Sequence, residues 1–193
     1  MTNASTEINA CLLNCQNKLH HMRRVTIILF LITFFISANA QLKSPEQFLG
    51  YRIGTHFTPH WKVVNYFQHV AANASSMMKL QQYGETTEGR PLMVAFISSA
   101  ENIQNLESIR RNNLRLADIS TSDNHGETAV ENTPVIVWLS YNVHGNEASS
   151  TEASMLTLYA LVDPGNSKTK EWLKNTVVVI DPCINPDGRD RYV

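Results

Sequence analysis

A histidine and a glutamate three positions apart, His144 and Glu147, are the side chains of this sequence best placed to do chemistry. Imidazole nitrogen and carboxylate oxygen both bind zinc at about 2.0 to 2.2 Å, and in a turn that enters a helix this spacing lets both reach one ion. Gly145 between them keeps the backbone of the turn compact. In the alternative, structural interpretation, Glu147 favours a helix N-terminus and His144 ends a strand. The pair is therefore a candidate metal site.

Residues 185–188, Asn-Pro-Asp-Gly, form a second feature, because this order of residues is typical of a type I turn. Arg189 and Arg191 follow the turn, and a guanidinium near a metal site could bind a peptide carboxylate or stabilise an oxyanion. The alternative is a surface charge cluster with Asp190. We treat both arginines as candidate substrate-binding residues.

A second pair of histidines, His56 and His60, has the four-residue spacing of zincin metal sites. The residue after His56 is Phe57 rather than the glutamate of that motif, and Pro59 would interrupt the helix needed to align the two rings. We therefore expect these histidines to lie where a helix begins and not to bind metal.

Two continuous apolar segments, residues 134–139 and 177–180, must position the candidate site. Each is apolar on both faces, as a central strand is when helices cover both sides of its sheet. The segment between them has helical periodicity, so strand, helix and strand form a right-handed βαβ unit with parallel strands. The carboxyl ends of the two strands then share one sheet edge, which brings His144 close to Asn185.

The elements upstream complete an α/β fold. The pairs Ser44-Pro45 and Thr58-Pro59 are typical helix starts, residues 79–97 indicate a hairpin that leads into a buried strand, and residues 103–116 indicate a helix. Residues 118–132 are polar and indicate a surface loop. The predicted fold class is a mixed, largely parallel sheet with helices on both faces.

The N-terminal 40 residues carry a targeting signal. Residues 22–40 begin with a methionine and two arginines, continue with the apolar run 25–36 and end in Ala-Asn-Ala, the order of a cleavable signal peptide. A membrane-spanning helix is the alternative, but this run is shorter than the roughly 20 residues required. We expect cleavage after Ala40, a secreted or periplasmic product without a stable membrane anchor, and residues 1–21 to be an upstream extension.

The composition excludes several classes of partner. Sixteen basic and 17 acidic residues give no positive surface for nucleic acid. Three cysteines are too few and too unevenly spaced for a disulfide scaffold, and we expect Cys183 to be a small buried side chain.

Three segments together resemble the zinc metallocarboxypeptidases, the family of carboxypeptidase A, and are most similar to its secreted bacterial members. They are residues 88–91 (Glu-Gly-Arg-Pro) before a strand, residues 144–147 (His-Gly-Asn-Glu) after one, and residues 185–188 after the next. The resemblance implies a carboxypeptidase-like α/β/α domain beginning in residues 41–193, with His144 and Glu147 as the first two ligands of Zn²⁺. It also implies that peptide or protein C-termini are the substrate.

The same resemblance places other functional residues further along the chain than Val193. In the family these are a third zinc ligand (a histidine), a general-base glutamate, an arginine that stabilises the transition state, and an Asn-Arg pair that holds the substrate carboxylate. We therefore expect the chain to be the amino-terminal half of a catalytic domain and inactive on its own. The alternatives are a zinc amidohydrolase of the aspartoacylase type and a non-catalytic exported binding module on the same fold.

Overall fold

A computed structural model describes residues 18–24, 26, 41–117 and 133–193, and it divides the chain into two compact units, Met1–Gln41 and Leu42–Val193. Residues 18–24 and 26 of the first unit are helical. The apolar run and cleavage site of the predicted signal peptide and the predicted loop at 118–132 lie outside the described residues, apart from position 26. In the part of the chain that is described, no helix is both long and apolar enough to cross a membrane.

The second unit alternates helices and strands. In chain order its elements are α1 (Pro45–Leu49), α2 (His60–Asn73), β1 (Met78–Glu85), β2 (Pro91–Ile97), α3 (Ala100–Gln104), α4 (Leu106–Leu116), β3 (Val135–Ser140), α5 (Ser149–Val162), α6 (Ser167–Trp172), β4 (Thr176–Asp181) and α7 (Pro186–Asp190). The predicted hairpin and the predicted βαβ unit are both present. The helix expected at 103–116 is interrupted between α3 and α4.

The strands form one four-stranded sheet in the order β1-β2-β4-β3. The mixed α/β class is confirmed, and the parallel share is smaller than expected: β3 and β4 pair in parallel, while β1 with β2 and β2 with β4 pair antiparallel. The short β1–β2 connection can join only antiparallel strands, and β4 runs against β2 as well.

The position of β3 differs from the sequence prediction. We expected it to be central, but β4 lies between β2 and β3, so β3 is the outermost strand of the described sheet. Its apolar side chains are consequently exposed, with Trp138 66% accessible and Val135 62% accessible. The continuous apolar pattern identified a strand correctly but gave no information on how many neighbours the strand has in these residues.

Helices cover both faces of the sheet, as predicted. On one face Val178 and Ile180 of β4 pack with Phe67 of α2 and with Met155 and Leu158 of α5. On the other face, Val177 and Val179 pack with Ile109 of α4. The alternation along β4 follows from the two-residue period of a strand and makes this strand the centre of the core.

The helix starts are partly as predicted. Ser44 caps α1 through a capping box with Gln47, as its sequence indicates. Thr58 does not cap α2, because Pro59 occupies the N-cap and the Thr58 hydroxyl instead donates a hydrogen bond of 2.8 Å to Glu152 Oε2. This contact joins residues that are far apart in the chain and cannot be read from local sequence.

Candidate metal centre

The candidate site forms where β3 and β4 end. Ser140 and Asp181 are paired in the parallel register, and the Tyr141 amide donates to the Asp181 carbonyl over 2.9 Å. The turn after β3 and the turn after β4 are also joined, because Asn185 Nδ2 donates to the Val143 carbonyl over 3.1 Å. The predicted parallel crossover and the predicted proximity of the two turns are confirmed.

His144 and Glu147 approach each other within this pair of turns. His144 Nδ1 and Glu147 Oε1 are 3.2 Å apart, and the Glu147 amide donates to the His144 carbonyl over 3.0 Å. Both side chains are open to solvent, at 69% and 64% exposure. Glu147 belongs to the turn rather than to the helix, which begins at Ser149. The pair is therefore held by a short turn whose open side faces solvent.

The donor set fits zinc. Two ligand atoms on a tetrahedral ion, each about 2.1 Å from the metal, lie about 3.4 Å from each other. The His144–Glu147 separation of 3.2 Å is a hydrogen-bond distance between the two side chains and is also close to the separation of two ligand atoms on one ion. A catalytic zinc site takes three protein ligands, and among the described residues no group of three or more His, Cys, Asp and Glu side chains could hold a metal.

Two glycines let the turns come together. A Cβ on Gly145 would lie 2.1 Å from the Gly188 carbonyl carbon, a distance that no side chain can occupy. A Cβ on Gly188 would lie 2.7 Å from the side-chain nitrogen Nδ2 of Asn185, in its own turn. Gly145 and Gly188 each belong to one of the motifs found in the sequence, so the two motifs contact each other directly through their glycines.

Arg189 occupies a structural position and not the predicted surface or substrate-facing one. Its side chain is fully buried: Nη1 donates to the Ala148 carbonyl over 2.7 Å, Nη2 to the Thr58 carbonyl over 2.7 Å, and Nη2 to Glu152 Oε1 over 2.8 Å. The carboxylate of Glu152 explains the difference, because it supplies a buried counter-charge. Sequence reasoning missed Glu152, which sits in a helix with no local sign of burial.

Arg191 is exposed and ion-paired. Its side chain is 72% accessible and contacts Glu88. Glu88 also accepts a hydrogen bond of 2.5 Å from Arg90 Nη1. The Arg90 guanidinium makes two further ion pairs, with Asp187 at 2.7 Å and with Asp190 at 2.8 Å. The hydrogen bonds from Arg90 and Arg191 lower the pKa of Glu88. The Glu-Gly-Arg-Pro segment is thereby tied to α7, and Asp190 pairs with Arg90 rather than with Arg189.

Three titratable groups lie at the end of β4 or contact it: Asp181, Cys183 and Tyr83. Cys183 is only 1% exposed, so the expected small buried side chain is confirmed, and this burial raises the pKa of the thiol to about 11. Burial also raises the pKa of Asp181, which accepts a hydrogen bond of 2.5 Å from the Tyr83 hydroxyl. The pKa of Tyr83 is raised in turn, first by desolvation and then by that bond.

The second histidine pair lies at a helix start, as expected. His60 is the first residue of α2 and is buried, with Nε2 at 2.9 Å from the Pro91 carbonyl oxygen. Burial lowers the pKa of His60, which favours the neutral ring. His56 stacks on Tyr51 with ring centroids 5.1 Å apart.

Comparison with known proteins identifies the fold and the family. The chain matches the structure of the thrombin activatable fibrinolysis inhibitor with a TM-score of 0.52 and 13% identity, over 80% of this chain and 30% of that protein. It matches carboxypeptidase A from Helicoverpa armigera with a TM-score of 0.53 and 17% identity, over 88% of this chain and 35% of that protein. At these identities the likeness shows the fold, and the chain spans about a third of the length of either protein.

No curated protein matches the chain significantly. Residues 63–192, by contrast, match the family profile described as zinc carboxypeptidase, peptidase M14. That match includes all three sequence motifs and both turns of the candidate site. The chain belongs to the zinc carboxypeptidase family.

Proposed function

We propose that the complete protein containing this chain is a secreted zinc metallocarboxypeptidase that hydrolyses C-terminal peptide bonds. The observation that carries the proposal is the close approach of His144 Nδ1 and Glu147 Oε1, 3.2 Å apart where two parallel strands of a zinc carboxypeptidase fold end. Ligands of open α/β sheets bind at this edge.

In this proposal His144 and Glu147 hold Zn²⁺ through an imidazole nitrogen and a carboxylate oxygen. Zinc, when bound, supplies polarisation of the scissile carbonyl and a lowered pKa for a water molecule. The chain's own contribution is to hold the two ligands side by side on a turn that packs closely against the turn after β4, where Gly145 meets the backbone of Gly188. The solvent-exposed side of the pair leaves room for a further ligand and for substrate.

The third zinc ligand, the general base and the transition-state arginine would come from sequence outside these residues, as the family resemblance implies. The 193-residue chain alone would then lack activity. Arg191 has an exposed guanidinium that could bind a peptide carboxylate. The guanidinium of Arg189 is fully buried, and its hydrogen bonds all go to other groups of the protein. A cleaved signal peptide at residues 22–40 would deliver the enzyme to the periplasm or the exterior, where it would meet peptide C-termini.

The test is a peptidase assay on the complete protein. A peptide with a free C-terminus should lose its last residue, a chelator should stop the reaction, and added Zn²⁺ should restore it. His144→Ala and Glu147→Ala should abolish release, while His56→Ala, which removes an exposed histidine remote in sequence, should not. Turnover of N-acyl amino acids with no release from peptides would contradict the proposal and favour the amidohydrolase.

A further inference from the structure

Asn142 connects β3 to the turn that carries the candidate ligands, and its backbone is unusual. It has φ of 57°, the one positive φ at a non-glycine position of the described chain. Asparagine tolerates this left-handed conformation better than most residues. Its side chain is buried, so its amide forms hydrogen bonds with the protein and not with solvent.

The Asn142 amide bonds to both candidate ligand residues. Nδ2 donates to the His144 carbonyl over 2.7 Å and to the Glu147 carbonyl over 3.2 Å. These two carbonyls belong to the first and last residues of the turn. The turn is also closed by a hydrogen bond from the Glu147 backbone amide to the His144 carbonyl. One side chain therefore spans the backbone of the turn from His144 to Glu147.

Cys183 fixes the orientation of that amide. The buried thiol, which follows β4, lies 3.1 Å from Asn142 Oδ1 and donates to it. With a pKa of about 11 the thiol keeps its proton and remains a donor. A rotated amide would place its oxygen against two carbonyls, so these partners select a single orientation.

We propose that Asn142 is the positioning residue of the metal site, holding the turn so that His144 and Glu147 meet one ion, with Cys183 orienting its amide. The metal part of this inference rests on the proposed function. The restraint of the turn by Asn142 does not rest on the proposed function, because its hydrogen bonds are present in the metal-free protein. Residues that orient metal ligands typically contribute about 10- to 100-fold to metal affinity.

Two variants separate the amide from the backbone conformation. Asn142→Gly tolerates the positive φ but loses every side-chain hydrogen bond, and Asn142→Asp keeps the size but puts a carboxylate against two carbonyls. The matched control is Asn102→Ala, which removes another buried amide that bonds to the Leu173 and Lys174 carbonyls.

The first measurement is residue-resolved amide hydrogen exchange in the metal-free complete protein. The Glu147 amide, which bonds within the turn, and the Ser150 amide, which donates to the Glu147 carbonyl, should exchange about tenfold faster in Asn142→Gly and Asn142→Asp. Amides of β4 in the same sample should keep their protection, which shows that the fold persists. Cys183→Ala should also accelerate exchange, and Cys183→Ser should restore slow exchange because a hydroxyl donates in the same place.

The second measurement is a Zn²⁺ titration of the same proteins, in which the Asn142 variants should bind about 10- to 100-fold more weakly and Asn102→Ala should bind normally. Wild-type exchange at Glu147 and Ser150 in both Asn142 variants would overturn the positioning role, as would equal acceleration in Asn102→Ala. If His144→Ala binds Zn²⁺ normally while the Asn142 variants still loosen the turn, the ligand assignment fails and the positioning of the turn stands.

Discussion

Gly145 is the residue at which the candidate site tolerates least change. A methyl group there would meet the backbone of Gly188 at 2.1 Å, and backbone atoms cannot move aside as a flexible side chain can. The Asn185–Val143 hydrogen bond depends on the same close approach of the two turns. A substitution at this position therefore forces the turns apart.

We predict that Gly145→Ala lowers the free energy of unfolding by about 1 to 3 kcal/mol, as overpacking does, and weakens Zn²⁺ binding. Gly84→Ala is the matched control, because its added methyl would lie 3.8 Å from Leu92 Cδ1, an ordinary contact. Urea denaturation of both variants measures the difference. Equal stability of the two variants would contradict the close packing of the turns.

Asp181 gives a pH dependence at the residue scale. Burial raises its pKa above the ordinary value of 3.8, so the folded protein disfavours the charged carboxylate. The unfolded chain then releases this proton at lower pH than the folded one, and the contribution of Asp181 to stability declines as pH rises through the folded pKa.

We predict that Asp181→Asn is more stable than wild type at neutral pH, because the amide carries no charge, its oxygen can accept from the Cys183 backbone amide, and its nitrogen can donate to the Tyr83 hydroxyl oxygen. The gain should shrink as pH falls and vanish below about the unfolded carboxyl pKa of 3.9. Denaturant unfolding at a series of pH values measures it. A stability difference that is constant across pH would show that the charge of Asp181 is not responsible.

At the scale of elements, α7 is fastened from two sides by its arginine and its acidic residues. Arg189 binds Glu152 of α5 and the Thr58 carbonyl before α2. The backbone amide of His60, the first residue of α2, donates to the Asp190 carboxylate over 3.0 Å. The short helix thereby fixes the turn that precedes it. This is how a five-residue helix comes to support the site.

We predict that Arg189→Leu lowers the free energy of unfolding by about 3 to 5 kcal/mol, because it leaves the buried Glu152 carboxylate without its cation. Arg191→Leu, two positions on, should change stability by less than about 1 kcal/mol because its side chain is exposed. Under the proposed function, Arg191→Leu in the complete protein should instead raise KM for peptides. Equal destabilisation by both variants would contradict the buried role of Arg189.

The sequence predicted the elements and the parallel pairing of β3 with β4 well, because these depend on local pattern and on the length of the connection. Apolar runs located β3 and β4, and the crossover rule correctly placed their carboxyl ends at one sheet edge. Strand order was not predictable in the same way, since the pattern of β3 does not state which neighbours it has. Arg189 was misplaced for a related reason: its partner Glu152 is distant in sequence, and both residues have the composition of a surface.

At the scale of the whole molecule, the exposed apolar strand β3 determines how the 193-residue chain behaves by itself. In the described sheet β4 is paired on both sides, with β2 and with β3, whereas β3 pairs only with β4 and exposes its apolar side chains. An exposed apolar edge strand readily pairs with another chain. We therefore expect β3 to be the strand through which the isolated chain associates.

We predict that the isolated chain self-associates through β3 and that Val135→Lys reduces this association, since a charge on an edge strand opposes pairing. Trp172→Lys is the control, because it removes a comparably exposed apolar residue from helix α6 instead. Sedimentation velocity over a range of concentrations distinguishes them. If Trp172→Lys is as effective as Val135→Lys, general hydrophobic contact and not the strand edge causes the association.

The most direct test of the account is the zinc content of the complete protein after equilibrium dialysis, measured for four single variants beside wild type. We predict one zinc per wild-type molecule, far less than one in His144→Ala and Glu147→Ala, and one in the controls His56→Ala and Glu171→Ala, whose residues are exposed and outside both turns. Full zinc occupancy in His144→Ala or Glu147→Ala would contradict the assignment of this turn as the metal site.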